Sequence, residues 1–336
     1  MGNSPPTEHE LPSTSWNRQA GEQVLSQLRH SNRSEIPGGT EPCQHVRNLW
    51  YAWIPAMMRS LRIPTRVRWC LSIVSTGLMV AVVLGCRSAP VTGRKQLLIV
   101  PQAQETQIGL TTYQEILKTE PLSKSERISE MVKRVGQRIA AAANRPDFDW
   151  EFNVIESETQ NAFCLPGGKV AVYTGILPVC ESEAGLAVVM SHEVAHAIAR
   201  HGGERMSMQS ASNAVKQATS YVMRNADEQK QKIVLAAYGA GAQYGVILPY
   251  SRKHELEADH IGIMLMAKAG YDPSEAPVFW ERFAGAKSSD APMEFTSTHP
   301  SDAHRSAALR ELLPAAMSEY QQAAEKIGLG EPVPKD

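Results

Sequence analysis

What this sequence lacks most plainly is an excess of charge of either sign. Its 34 lysines and arginines stand against 35 aspartates and glutamates, a formal net charge of −1. No basic surface dominates, which argues against a nucleic-acid partner. A long apolar run is missing too. The best candidate, Cys70–Leu84, is shorter than the roughly 20 apolar residues that a spanning helix needs. No TPR-like repeat is visible, so a C-terminal partner-binding array is not expected. Cysteine is scarce, at 5 of 336 residues.

What is present is His192-Glu193-Val194-Ala195-His196, an H-E-x-x-H motif. It lies in the run Glu183–His201, which holds no proline and is apolar nearly all round. That pattern predicts a buried helix, with Gly202-Gly203 as its stop. On a helix, positions i and i+4 share a face, so the two imidazoles can grip one metal ion. Buried polar groups need partners, and a metal supplies them. Glu193 follows the first histidine and can act as general base on a water beside the metal. The pattern points to peptide-bond hydrolysis.

A catalytic zinc takes three protein ligands and leaves a position open. The third is expected in Ser251-Arg-Lys-His-Glu-Leu-Glu-Ala-Asp259. Glu255 and Asp259 are four apart and share a helix face. Glu255 would then bind zinc while Asp259 hydrogen-bonds a ligand histidine. Glu257 is a rival ligand on another face of the same helix.

At this point the chain resembles a known family: the zinc metallopeptidases of the CAAX-prenyl-endopeptidase, HtpX and mitochondrial Oma type, metallopeptidase family forty-eight, the minigluzincins. The motifs that carry the resemblance run in family order from about Pro90 to Leu313. They are His192–His196 with Ala-Arg-His201, and Ser251-Arg252 with Glu255-x-Glu257-Ala-Asp259. Asn161-Ala-Phe-Cys-Leu-Pro-Gly-Gly168 leads into Val170–Gly175. Ala269–Pro273, Phe279-Trp280 and Thr298-His-Pro300 with Arg305 follow. Pro90-Val-Thr-Gly-Arg94 with Gln96-Leu97 looks like the start of the bacterial lipoprotein members. Cys164 departs from the family, where a small residue such as alanine is common. The resemblance implies Glu255 as zinc ligand and Asp259 as the residue behind a ligand histidine. It implies a mostly helical α+β fold with a small antiparallel sheet above the H-E-x-x-H helix. It also places His299 near the zinc, as a resting-state ligand or an oxyanion stabiliser, and Arg305 in the same cleft, orienting substrate carbonyls. The edge of the small sheet would receive substrate at Asn161, Ala162 and Phe163, since main-chain pairing tolerates many sequences.

The organisation ahead of the motifs is uneven. Residues 1–56 are rich in Ser, Pro, Asn, Gln and Gly without periodicity, and read as disordered or as a mis-assigned start before Met57 or Met58. Residues 57–85 join a basic stretch of four arginines to the short apolar run and Gly85, a lipoprotein-type signal peptide cleaved before a lipidated Cys86. Residues 86–100 read as a lipid-anchored tether, 101–325 as the peptidase domain and 326–336 as a flexible tail. These features lead to the expectation of a bacterial cell-envelope protein, lipid-anchored and facing the periplasm. Arg87 after the cysteine favours the outer membrane.

Within the domain, Gln102–Lys118 reads as an amphipathic helix. Ser123-Lys-Ser-Glu126 reads as a capping box opening another, striped with Ile128, Met131, Val132, Val135 and Ile139. Phe148–Val154 alternates as a half-buried strand, and Asn161–Leu165 with Lys169–Thr174 reads as a hairpin over Pro-Gly-Gly. Asp272-Pro-Ser-Glu275 reads as a helix cap with proline at the first position. Ala236–Gly245, rich in small residues, suggests a buried helix crossing. Cys164 and Cys180 are open to a disulfide or to burial as free thiols.

The expected function is that of a zinc endopeptidase, with one zinc held by His192, His196 and Glu255, acting on misfolded or misassembled envelope proteins. A chaperone-like assembly factor with latent protease activity is the alternative. A closed site of four ligands, completed by Glu257 or His299, would instead mean a structural metal.

Overall fold

The computed structural model describes residues 86–334 apart from 226, 243–247, 286–294, 296–298 and 300–302. For residue 86, and for helix residues 240–242, 248–250 and 303–304, it describes the backbone alone. Residues 1–85, with the expected disordered segment and signal peptide, lie outside the described residues.

A short hairpin comes first, β1 (Cys86–Ser88) paired antiparallel with β2 (Lys95–Leu97). Two helices follow, α1 (Gln102–Thr119) and α2 (Glu126–Ala143). The sheet is built from β3 (Glu151–Ile155), β4 (Ala162–Leu165) and β5 (Lys169–Tyr173) in the order β3-β5-β4. The predicted hairpin is there: β4 and β5 are antiparallel, and β3 adds to β5 in parallel. The remaining elements are α3 (Leu177–Cys180), α4 (Glu183–Ile198), α5 (His201–Val222), α6 (Glu228–Ala242), α7 (Leu248–Lys268), α8 (Glu275–Gly285) and α9 (Ala303–Gln322). Among the described residues, no helix is long and apolar enough to cross a membrane.

The centre of the molecule is α4, which carries the motif. From Glu183 to Ile198 every side chain is buried except His196, which is half-buried. It packs on α7, α2, α8 and β4. The all-round apolar pattern required such a setting. Gly262 lets α7 come close: a methyl group there would stand 3.1 Å from the His192 amide nitrogen. The helix starts where the Ser182 hydroxyl accepts from the Gly185 amide at 3.2 Å. Gly185 is packed more tightly still, since a methyl group would lie 2.0 Å from the Cys180 carbonyl oxygen. Gly185→Ala is therefore expected to cost about 1–3 kcal/mol by overpacking. Gly202→Ala, with nothing within 4 Å, should leave stability unchanged or raise it slightly. Thermal unfolding of the two variants checks this, and equal midpoints would contradict it.

Several local expectations are corrected. Helix α4 ends before Gly202-Gly203: Ala199 caps it, and Arg200 takes the left-handed conformation at φ 57. Long-range bonds hold Arg200 there, because its guanidinium donates to Glu105 of α1 and to the Val100 carbonyl. The glycines instead sit in α5, where Gly203 makes room for Glu105. Helix α2 is capped at Ser125 without a side-chain cap bond, so the expected capping box does not form. Asp272 accepts from the Ser274 amide at 2.9 Å, and the helix proper begins at Glu275.

Neither end of the domain is loose. Residues 86–97 form the hairpin rather than a tether, and Cys86, the expected lipidation point, pairs across it with Leu97. The tail is stitched down along the start of α4. Carbonyls of Leu329 and Glu331 accept from the Ala184 and Glu183 amides at 3.0 and 2.9 Å, partners those first-turn groups lack within the helix. Of the small-residue segment, Ala236, Ala237 and Gly239 on α6 are exposed, while Tyr238 is half-buried with its hydroxyl on the Ser212 carbonyl. Cys164 and Cys180 are both free and buried.

Candidate active site

Helix α4 presents His192 and His196 on one face, and α7 brings Glu255 opposite them. His192 Nε2 and His196 Nε2 are 3.1 Å apart. The Glu255 carboxylate stands 3.3 Å from the first and 3.5 Å from the second. His299 joins them, its Nδ1 at 3.3 Å from His192 Nε2 and 3.0 Å from Glu255 Oε2. A tetrahedral zinc with bonds of about 2.0–2.1 Å would hold its ligand atoms roughly 3.3 Å apart. The distances from His192 Nε2 to the other three groups, 3.1–3.3 Å, match that spacing. All four donor atoms lie within 4.8 Å of one another.

The groups of the donor set are electrostatically coupled. Burial opposes ionisation of Glu255, yet hydrogen bonds from His192 and His299 hold it well below the usual carboxylate range. Burial lowers the affinity of His192 for a proton, but Asp259 and Glu255 outweigh it and raise the balance. His196 is pushed down, first by burial and then by His192, towards the neutral form that binds metal. Glu193 completes the centre. Its Oε1 is buried without a hydrogen-bond partner among the described residues, and His299 Nε2 stands 3.4 Å away. An orphaned buried acceptor is costly, and here it borders the donor set. Burial pushes this carboxyl up to about 7. The residues therefore fit a divalent metal of the zinc type.

Each motif histidine is gripped from behind. His192 Nδ1 lies 3.0 Å from Asp259 Oδ1. Asp259 is in turn clamped by Arg305, whose Nε and Nη2 donate to its two oxygens at 2.7 Å each. Arg305 is 3% exposed, with its guanidinium 3.8 Å over the Trp280 ring. Its Nη1 also stands 3.4 Å from Glu255 Oε2, so Arg305 touches two carboxylates of the centre. Behind His196 stands His201, with Nδ1 to Nδ1 at 2.9 Å. The rival ligand Glu257 is turned away from the centre and accepts from His201 Nε2 at 2.9 Å. Burial pulls His201 down to about 4. Sequence reasoning noted His201 only as part of a motif and gave it no task.

The sheet lies against α4 through β4, an edge strand. Ala162 is buried, and Asn161 and Phe163 are half-buried. Phe295, whose amide donates to the Gln160 carbonyl, stacks near His299 with ring centroids 4.6 Å apart.

Two histidines on one helix, a glutamate from a later helix and a glutamate beside the motif define a gluzincin-type zinc peptidase. Residues 126–313 match the model of peptidase family M48, and the chain belongs to that family. It is 36% identical over 231 residues to the mitochondrial metalloendopeptidase OMA1 of Schizosaccharomyces pombe, covering 68% of this chain and 66% of that one. To the Saccharomyces cerevisiae OMA1 it is 33% identical over 259 residues, covering 70% and 71%. To the beta-barrel assembly-enhancing protease of Escherichia coli it is 30% identical over 201 residues, covering 59% and 41%. The chain thus spans about two thirds of the length of the fungal relatives and less than half of the bacterial one. These findings overturn the expected bacterial-envelope location, because the two fungal relatives are mitochondrial and match at higher identity than the bacterial protease.

Proposed function

We propose that the chain is an endopeptidase that cuts misfolded or misassembled proteins. The observation that carries this reading is the orphaned Glu193 carboxylate oxygen beside a four-atom donor set. His192, His196 and Glu255 would hold zinc, which when bound polarises the scissile carbonyl and lowers the pKa of a nucleophilic water to about 7. Glu193 takes the proton of that water on its carboxylate and passes it to the leaving amine. Asp259 keeps the His192 ring oriented, so that its Nε2 faces the metal. The edge strand β4, at Asn161, Ala162 and Phe163, would pair with an extended substrate backbone, which favours unfolded clients over a fixed sequence.

A second reading rests on His299. With its Nδ1 the donor set is four, and a four-ligand set is closed in the manner of structural sites. His299 then blocks the centre in a resting form, and client binding without cutting becomes the alternative function. The test uses the full chain with stoichiometric zinc, casein as substrate, and a chelator. About one zinc per chain is expected, with cleavage lost on chelation and restored by zinc. Zinc without cleavage, in a chain that still binds unfolded casein, would replace the protease reading with the resting one.

A further inference from the structure

The two zinc-facing histidines are supported differently. His192 meets a carboxylate directly, the Asp259 that Arg305 clamps. His196 meets another imidazole, His201, and the carboxylate stands one residue further out.

The directions of these bonds follow from the chemistry. His196 turns Nε2 to the donor set, so its Nδ1 carries the hydrogen and donates to His201 Nδ1 at 2.9 Å. His201 must then hold its own hydrogen on Nε2, which donates to Glu257 Oε2 at 2.9 Å. Glu257 also accepts from Arg94 Nε at 2.7 Å and from the Thr92 hydroxyl. Arg94 spans a second carboxylate: its Nη1 and Nη2 donate to Glu204 at 3.1 and 2.7 Å. Glu204 in turn meets His254 Nε2 at 2.9 Å, and the His254 ring stacks on His201 with centroids 4.2 Å apart. His201, Glu204, His254 and Glu257 are all 5% exposed or less. Thr92 and Arg94 lie between β1 and β2, so the far end of the chain of bonds belongs to the N-terminal hairpin.

We infer that Arg94, Glu257 and His201 form a positioning relay for the zinc ligand His196, and that the hairpin at residues 86–97 is thereby part of the metal centre. This rests on the metal-site reading proposed above and deepens it. It gives a task to Pro90-Val-Thr-Gly-Arg94, which otherwise sits outside the catalytic constellation. It also explains why Glu257, two residues from a ligand, is buried yet turned away from the metal. Outer partners of this kind orient a ligand ring and typically change metal affinity by about 10–100-fold when removed.

The experiment is zinc affinity of the full-length chain, by competition with a chromophoric chelator, with folding of each metal-free variant checked by circular dichroism. His201→Ala and Glu257→Ala are expected to weaken zinc binding by about 10-fold or more. Glu257→Gln keeps an acceptor for His201 Nε2, so it should recover most of that loss. A purely structural ion pair would make Gln and Ala equivalent at this position. Arg94→Ala should weaken binding in the same direction, and combining it with Glu257→Ala should add little, since the two act in series. Arg282→Ala, which breaks a pair with Glu275 at 2.7 Å that touches neither the relay nor the donor set, should lower stability but leave zinc affinity unchanged. Wild-type affinity in the folded His201 and Glu257 variants would overturn the relay. A wild-type chain that binds no zinc at all would instead overturn the metal-site reading on which it depends.

Discussion

Glu193→Gln is expected to retain about one zinc per chain and to lose peptide-bond cleavage by about 10²–10⁴-fold, the scale of a lost general base. The substitution is nearly isosteric, and the pocket around it tolerates a neutral group. Burial already pushes the carboxyl up to about 7, so a neutral side chain at this position carries no large penalty of its own. Glu193 makes no bond to the three expected ligands, whose grips come from Asp259, His201 and each other. The metal should therefore stay. What disappears is a buried carboxylate oxygen, without a hydrogen-bond partner among the described residues, able to take a proton and return it. Zinc analysis beside casein cleavage reads both halves. Cleavage at the wild-type rate would show that the proton goes elsewhere, and His299, 3.4 Å away, would be the next group to test. Loss of zinc together with activity would mean that Glu193 supports the metal rather than the water.

The parts of this centre legible in the sequence are those fixed by local periodicity. The i, i+4 spacing puts His192 and His196 side by side without knowledge of any other element, and it does the same for Glu255 and Asp259. Which of Glu255 and Glu257 faces the metal is a different matter. Both are buried and both meet histidines, so pattern alone leaves them equivalent. The packing of α7 on α4, with Gly262 at the contact, decides it. The same limit explains the errors at the ends. Gly202-Gly203 has the look of a helix stop, but Arg200 is held in the left-handed conformation by partners about 100 residues earlier. The tail and the segment before α1 are short and carry no helical or strand periodicity of any length. They are ordered by backbone bonds to Glu183, Ala184 and Gly270 and by the reach of Arg94, none of which has a local signature. The motif around Arg305 marks it as a residue of the site, but nothing in a sequence shows an arginine lying between Trp280 and Asp259.

That arginine sets the second large effect. Asp259→Ala is expected to destabilise the fold by about 3–5 kcal/mol, the usual cost of removing one member of a buried ion pair. Arg305 would keep its charge at a site 3% exposed, with both of its 2.7 Å contacts to Asp259 gone and the Glu255 carboxylate still 3.4 Å from its Nη1. His192 would lose the acceptor for its Nδ1 at the same time. Stability and metal binding thus fall together in this variant, and it cannot by itself separate them. The double variant Asp259→Leu with Arg305→Met does. Replacing a whole buried pair by apolar groups of similar size is often neutral or stabilising, so the fold should recover most of the loss. Zinc affinity should not recover, because no apolar side chain can hold the His192 ring with its Nε2 towards the metal. Denaturant unfolding of the metal-free chains gives the first quantity and chelator competition the second. Recovery of both in the double variant would mean that packing alone orients His192, and that Asp259 acts on the metal centre only through the fold.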